Sequence, residues 1–129
     1  QVREWGLERQ ICLTGQRPDV PRLMLGAHIF LLTSIAEGLG MVVVEAQAAG
    51  LQCVVSDVTP EECSVETSMV HFLPLADSVD TWASYIMGML ARPRATSTEG
   101  NLAVQNSDFS IKNSATKALK FYASDLCEI

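Results

Sequence analysis

Short apolar runs bounded by turn residues alternate with segments of helical periodicity along the whole 129-residue chain. A parallel sheet flanked by helices produces that alternation, because its strands are buried on both faces while each helix buries one stripe. Four runs read as strands: Gln10–Thr14, Ile29–Thr33, Cys53–Ser56 and Met69–Leu73. Between the first two, the spacing predicts a helix from about Asp19 to Ala27, with Asp19 as N-cap and Leu23, Met24 and Ala27 facing the core. A second helix runs Met41–Ala49 and is ended by Gly50. Thr59-Pro60-Glu61-Glu62 has the form of a capping box opening a short turn of helix.

Beyond the fourth strand the pattern is helical only. Val79, Trp82, Ala83, Ile86 and Leu90 form one stripe of a packing helix that Pro93 stops. Residues 94–107 are polar with a weak helical signal, and a last helix from about Ser110 to Asp125 is expected to bury Ile111, Ala115, Leu119, Tyr122 and Leu126. At this length, with 48% hydrophobic residues, one compact domain is expected. The fold class is therefore α/β: a Rossmann-like parallel sheet with flanking helices and further helices at the C-terminal end.

Charge narrows the function classes. Nine Lys and Arg against fifteen Asp and Glu give a net charge of −6, which repels nucleic acid and anionic membrane surfaces. No apolar stretch approaches the roughly 18 residues of a membrane span, and the first residues, which include no Met, read as the tail of an amphipathic helix and not as a signal peptide. The expectation is a piece of a larger cytoplasmic protein. Cys12, Cys53, Cys63 and Cys127 show no CxxC spacing, so zinc, a disulfide framework and metal ligation generally are not expected. His28, His71 and the methionines read as structural, and Asp57 lacks the acidic pair and lysine of a phosphoacceptor site.

The chemistry concentrates between residues 34 and 50. Met41-Val42-Val43-Val44-Glu45-Ala46-Gln47-Ala48-Ala49 is apolar nearly all round, which places it between the sheet and a second covering layer, with Glu45 as its one charge. A dry, unpaired carboxylate there costs several kcal/mol, so Glu45 must meet a cation, a cluster of donors or a ligand's hydroxyls; the competing reading is that it reaches the rim or pairs with an arginine. The preceding Glu37-Gly38-Leu39-Gly40 lets backbone approach a ligand closely and opens a helix whose N–H groups seat phosphate or sugar oxygens. As a bare Gly-x-Gly it is also compatible with a tight strand-to-helix turn, with Glu37 favourably placed ahead of a helix N-terminus.

The string Ile29 to Gly40, continued by Met41 to Glu45 and Ala46-Gln47-Ala48-Ala49-Gly50, resembles the signature of retaining GT-B glycosyltransferases of family 4, in which two glutamates enclose seven residues as Glu37 and Glu45 do. Cys12 to Val20 is similar to the family's strand, glycine and loop beside the nucleobase, which brings in Gly15 and Arg17. The resemblance implies a C-terminal, nucleotide-sugar-binding domain over residues 1–129. Glu45 would accept from the donor's ribose hydroxyls and Glu37 would sit against the donor sugar as orienting group or nucleophile. Ser34 would lie beside the donor, and the backbone N–H groups of Gly38, Leu39, Gly40 and Met41 would hold sugar and phosphate oxygens.

The same resemblance implies no metal and no cofactor besides the nucleotide-sugar substrate. It implies a saccharide or lipid-linked acceptor carried by an N-terminal domain, in capsule or exopolysaccharide-type glycan synthesis, with the parent peripheral at the inner membrane face. The family's diphosphate-binding Arg and Lys lie in two βα units upstream of Gln1, so the fragment alone is expected to be inactive. In the strand order 3-2-1-4-5-6 those units separate Gln10–Thr14 from Ile29–Thr33. The first run is therefore expected to pair abnormally, to pair across a chain–chain contact or to be poorly ordered, and not to become an ordinary inner strand. The rival readings are a non-catalytic Rossmann-like binding or regulatory module and a nicotinamide-dependent oxidoreductase, which lacks its three-glycine fingerprint here.

Overall fold

The structure, a computed structural model, describes residues 1–125. Its centre is a parallel sheet of three strands, β1 Ile29–Leu32, β2 Gln52–Ser56 and β3 Val70–Leu73, in the order β1-β2-β3. Leu31 stands opposite Val54, and Val54 opposite His71. Parallel neighbours need crossovers. Helix α2, Met41–Ala48, links β1 to β2, and a loop with a 3₁₀ turn at Glu61–Cys63 links β2 to β3. Helix α1, Val20–Gly26, precedes the sheet; α3 Val79–Leu90, α4 Ser97–Asn106 and α5 Ile111–Asp125 follow it.

Alternation along the strands divides the core in two. Phe30, Leu32, Cys53, Val55, Val70 and Phe72 pack with Val43, Val44 and Ala46 of α2 and with Met24 of α1. On the opposite face Ile29, Val54 and Leu73 pack with Trp82, Tyr85, Ile86 and Met89 of α3. The central strand is the most buried, Val54 and Val55 being fully shielded, and each such side chain contributes about 1.5–3 kcal/mol.

Two features fix the layer around α2. A Cβ on Gly100 would lie 2.1 Å from the Gln47 carbonyl oxygen, so the missing side chain lets α4 seat against the C-terminal end of α2. Arg94 donates to the carbonyls of Leu25, Ala27, Ala49 and Gly50 at 3.1, 2.6, 2.9 and 3.4 Å, tying together the C-terminal ends of α1 and α2, where a cation is favoured by both helix dipoles.

The structure corrects several expectations. Gln10–Thr14 is not a strand: residues 8–10 form a turn, residues 11–15 have no regular structure, and Leu13 is 80% exposed. Extended backbone is stable only when its N–H and C=O groups find a partner, and the outer edge of β1 pairs with none among the described residues. A run without its neighbours was expected not to become an ordinary inner strand, and it does not.

Asp19 precedes α1 but makes no cap hydrogen bond, because its carboxylate is taken by Arg17; Leu23 is exposed and Met24 carries that helix's burial. Thr59 caps nothing either, being turned inward to Ser56. In α3 the buried positions are Trp82 and Met89, with Tyr85 and Ile86 half-buried, while Val79, Ala83 and Leu90 are exposed. The Trp82 indole N–H donates to the Pro74 carbonyl at 3.0 Å.

Residues 97–106, read as weakly helical, form α4, opened by a capping box between Thr96 and Glu99. Helix α5 forms over nearly the expected span, yet Ile111, Ala115, Leu119 and Tyr122 are exposed, so its apolar stripe covers no core among the described residues. Leu126 and Cys127 lie outside those residues.

Candidate functional site

Residues 33–40 leave the carboxyl end of β1 and enter α2. Gly40 is the N-cap, with φ 71°, a left-handed conformation that any side chain would strain. Its carbonyl accepts the Val43 N–H at 2.8 Å and begins the helix. The N–H groups of Gly38, Leu39, Gly40, Met41 and Val42 meet no acceptor among the described residues. This row of donors, at the positive end of α2, has the form of an anion seat.

Glu37 stands at the mouth of that row. It is half-buried, and Ser34 Oγ donates to its Oε1 at 2.6 Å, a short charge-assisted bond that leaves the second carboxylate oxygen available. Ser34 is held in turn, since the buried Ser56 hydroxyl donates to the Ser34 carbonyl at 2.6 Å. The loop, the end of β2 and the start of α2 thus form one connected group at the carboxyl ends of the strands, where open α/β sheets place ligands.

Glu45 follows the competing sequence reading, that it reaches the rim, and not that of a dry carboxylate enclosed by a second layer. It is exposed, and no described residue pairs with it. Helix α2 is covered by the sheet, by α4 and by the 61–66 segment, but the stripe Met41, Glu45 stays open to solvent beside α1. The covering layer on that side is too short to close over it, so no desolvation penalty forces a partner on this carboxylate. Glu45 lies one helical turn after Met41 on the same stripe, and it lines a mainly apolar cavity of about 260 Å³ with Pro21, Met24, Leu25 and Asn101. The carboxylate is neither turned into the core nor held by an arginine.

Gly15 and Arg17 lie in the exposed stretch before α1, Gly15 with φ 61°. Arg17 forms a two-pronged pair with Asp19 at 2.8 and 2.7 Å, which raises the guanidinium pKa and lowers that of the carboxyl. No hydrogen bond among the described residues joins this stretch to the 33–41 loop.

Three buried polar residues carry the site's support and were not singled out as functional in the sequence. Ser56 and Thr59 underlie the loop. Gln47, 1% exposed, donates to the Val43 and Cys63 carbonyls at 3.1 and 2.7 Å and accepts from the Val65 and Glu66 N–H groups at 2.9 and 3.0 Å, pinning the crossover loop to α2. The one available signal was a glutamine inside an otherwise apolar helix face. His71 is structural: its ring nitrogens meet Gln52 Oε1 and the Tyr85 hydroxyl, and burial, followed by the charge of Arg92, lowers its pKa. Among the described residues no three His, Cys, Asp or Glu converge as metal ligands would.

Comparison with known proteins bears on this arrangement. The chain is 29% identical over 84 residues to the UDP-Gal:alpha-D-GlcNAc-diphosphoundecaprenol alpha-1,3-galactosyltransferase of Escherichia coli, covering 65% of this chain and 22% of that protein. It is 32% identical over 94 residues to EpsF of Bacillus subtilis (strain 168), described as a glycosyltransferase, covering 73% of this chain and 24% of the relative. The chain thus spans under a quarter of the length of these curated relatives. Residues 1–99, which take in β1, the glycine loop, α2, β2, β3 and α3, match the family model described as Glycosyl transferases group 1, and the chain belongs to that family.

Proposed function

We propose that this chain is the donor-binding portion of a retaining transferase that moves a sugar from a nucleotide sugar to a saccharide or lipid-linked acceptor. The observation that carries this reading is the row of unpartnered N–H groups from Gly38 to Val42 with the Glu37 carboxylate fixed beside it. In such a transfer the bond between the anomeric carbon and the diphosphate oxygen breaks. Negative charge grows on the diphosphate and positive charge on the sugar ring. Preoriented N–H donors and a helix N-terminus stabilise the first, and a carboxylate held against the ring stabilises the second.

Glu45, solvated and unpaired, accepts from the ribose hydroxyls, for which an exposed carboxylate one helical turn below the glycine loop is suited. Gly15 and Arg17, in the stretch before α1, serve the nucleobase end. A lipid-linked acceptor is favoured by the name of the Escherichia coli relative, whose substrate is a diphosphoundecaprenol-linked sugar. Sugar transfer in the synthesis of a bacterial surface glycan follows from that acceptor class. No helix among the described residues is long and apolar enough to cross a membrane.

The test is a thermal-shift series with UDP-, GDP- and ADP-linked sugars and NADH on the full-length protein, its Glu37→Gln and its Glu45→Ala variants. A rise in Tm with one sugar nucleotide, lost in Glu45→Ala, is expected. A rise with NADH alone, or a sugar-nucleotide rise untouched by both substitutions, contradicts the reading.

A further inference from the structure

Ser56 is wholly buried at the carboxyl end of β2, and Thr59, in the turn that follows, is 2% exposed. Hydroxyls in such places must be hydrogen-bonded, and small apolar residues would pack there without that demand. Their partners therefore matter. Ser56 Oγ donates its single proton to the Ser34 carbonyl at 2.6 Å, so in its 3.4 Å contact with Thr59 Oγ1 the threonine is the donor. Ser34 directs its own hydroxyl to Glu37 Oε1 at 2.6 Å. At the other end of the loop, Thr59 Cγ2 lies 3.2 Å from the place a Cβ on Gly40 would occupy. Ser56 therefore holds the loop at Ser34 by a hydrogen bond, and Thr59 fills the space beside Gly40 that a side chain there would need, with Glu37 between.

We propose that Ser56 and Thr59 are positioning residues: they fix Glu37 and the start of the N–H row relative to the donor sugar, acting through Ser34 and Gly40 without touching the donor. The inference rests on the transferase reading of Glu37. Thr33, Ile35, Ala36, Gly38 and Leu39 are exposed, so the loop has little packing of its own to hold its shape. Without the Ser56 bond and the Thr59 methyl behind Gly40, the carboxylate samples positions away from the reacting carbon, and misplacement by about 1 Å costs up to ~100-fold in rate.

The experiment measures nucleoside diphosphate release from UDP-, GDP- and ADP-linked sugars by the full-length protein, with hydrogen exchange read by peptide. Ser56→Ala is expected to lower kcat about tenfold with the donor KM changed less than about twofold, and to speed exchange over residues 33–41 while α3 and α4 keep theirs. Added to Glu37→Gln, it is expected to cost nothing more in kcat; a role confined to stability would act alike in both backgrounds. Thr59→Ser, which keeps the hydroxyl and removes the methyl beside Gly40, is expected to lower kcat about threefold and serves if Ser56→Ala fails to fold. Unchanged kcat and exchange in the folded variant, or an equal fold-loss with and without Glu37→Gln, overturns the proposal. Glu37→Gln at wild-type kcat instead overturns the role of Glu37 itself, whereas an inactive Glu37→Gln beside an unimpaired Ser56→Ala overturns the positioning alone.

Discussion

Ser34 Oγ donates to Glu37 Oε1 at 2.6 Å across the turn that carries β1 toward α2. Four residues of loop thus close on themselves and hold the carboxylate in place ahead of the helix. Ser34→Ala removes this bond while leaving the backbone anchor at Ser56 intact. The expected outcome is a fall in donor cleavage of about tenfold, roughly 1.4 kcal/mol in activation free energy, with Tm within about 2 °C of wild type. Steady-state kinetics with differential scanning fluorimetry checks both halves. A kcat equal to wild type contradicts the holding role.

Gln47 makes four hydrogen bonds inside the protein, three of them to residues of the 61–66 segment. Gln47→Leu fills similar volume and leaves the Cys63 carbonyl and the Val65 and Glu66 N–H groups without their partner. Losing these is expected to cost about 3 kcal/mol in urea unfolding. A loss below about 1 kcal/mol would show that water replaces the amide at these positions.

At Gly100 the constraint is steric, since an added Cβ meets the Gln47 carbonyl oxygen at 2.1 Å and the Gly50 nitrogen at 2.9 Å. Backbone cannot yield as a flexible side chain can. Gly100→Ala is expected to destabilise by about 3 kcal/mol although alanine is the better helix former, reversing the order found at exposed helix positions. Urea denaturation of Gly100→Ala beside Gly88→Ala, where an added Cβ meets nothing, checks the contrast.

The thiols separate by burial. Burial pushes Cys53 from the ordinary 9.0 up to about 12 and raises Cys63 as well, whereas Cys12 is exposed. Peptide mapping after iodoacetamide treatment at pH 8 is expected to show Cys12 labelled, with Cys53 and Cys63 labelled only in denaturant. The same shift carries a pH sign: the unfolded thiol ionises first, so the unfolded state binds fewer protons above pH 9 and stability falls by up to ~1.4 kcal/mol per pH unit between about 9 and 12. In Cys53→Ala that part of the slope is expected to vanish.

What the sequence made legible follows the strength of each local signal. β1, β2, β3 and α2 stand within a residue of their expected bounds, because their apolar runs are continuous. The glycine loop and its two glutamates were legible as a string of residue types. The burial of Glu45 was not: an apolar helix sequence says how many sides can be covered, while the short α1 decides which side is left open. Helix α4 was undervalued although Thr96-Ser97-Thr98-Glu99 carries a capping signature, since its polar composition gave no face to read. The apolar run at 10–14 failed as a strand for want of a neighbour, and its composition could not register that absence. Ser56 and Thr59 were invisible as supports because their partners, Ser34 and Gly40, are reached only through the sheet.

The central claim is that the backbone from Gly38 to Val42, with Glu37 and Glu45 on either side, seats a nucleotide sugar. Amide chemical-shift mapping on the full-length protein, titrated with UDP-, GDP- and ADP-linked sugars, addresses it directly. The account predicts that one of these moves the Gly38, Leu39, Gly40, Met41 and Val42 amides first and most, and that Glu45→Ala weakens the apparent affinity about tenfold or more. Shifts centred elsewhere in the chain, or an affinity indifferent to Glu45→Ala, would contradict it.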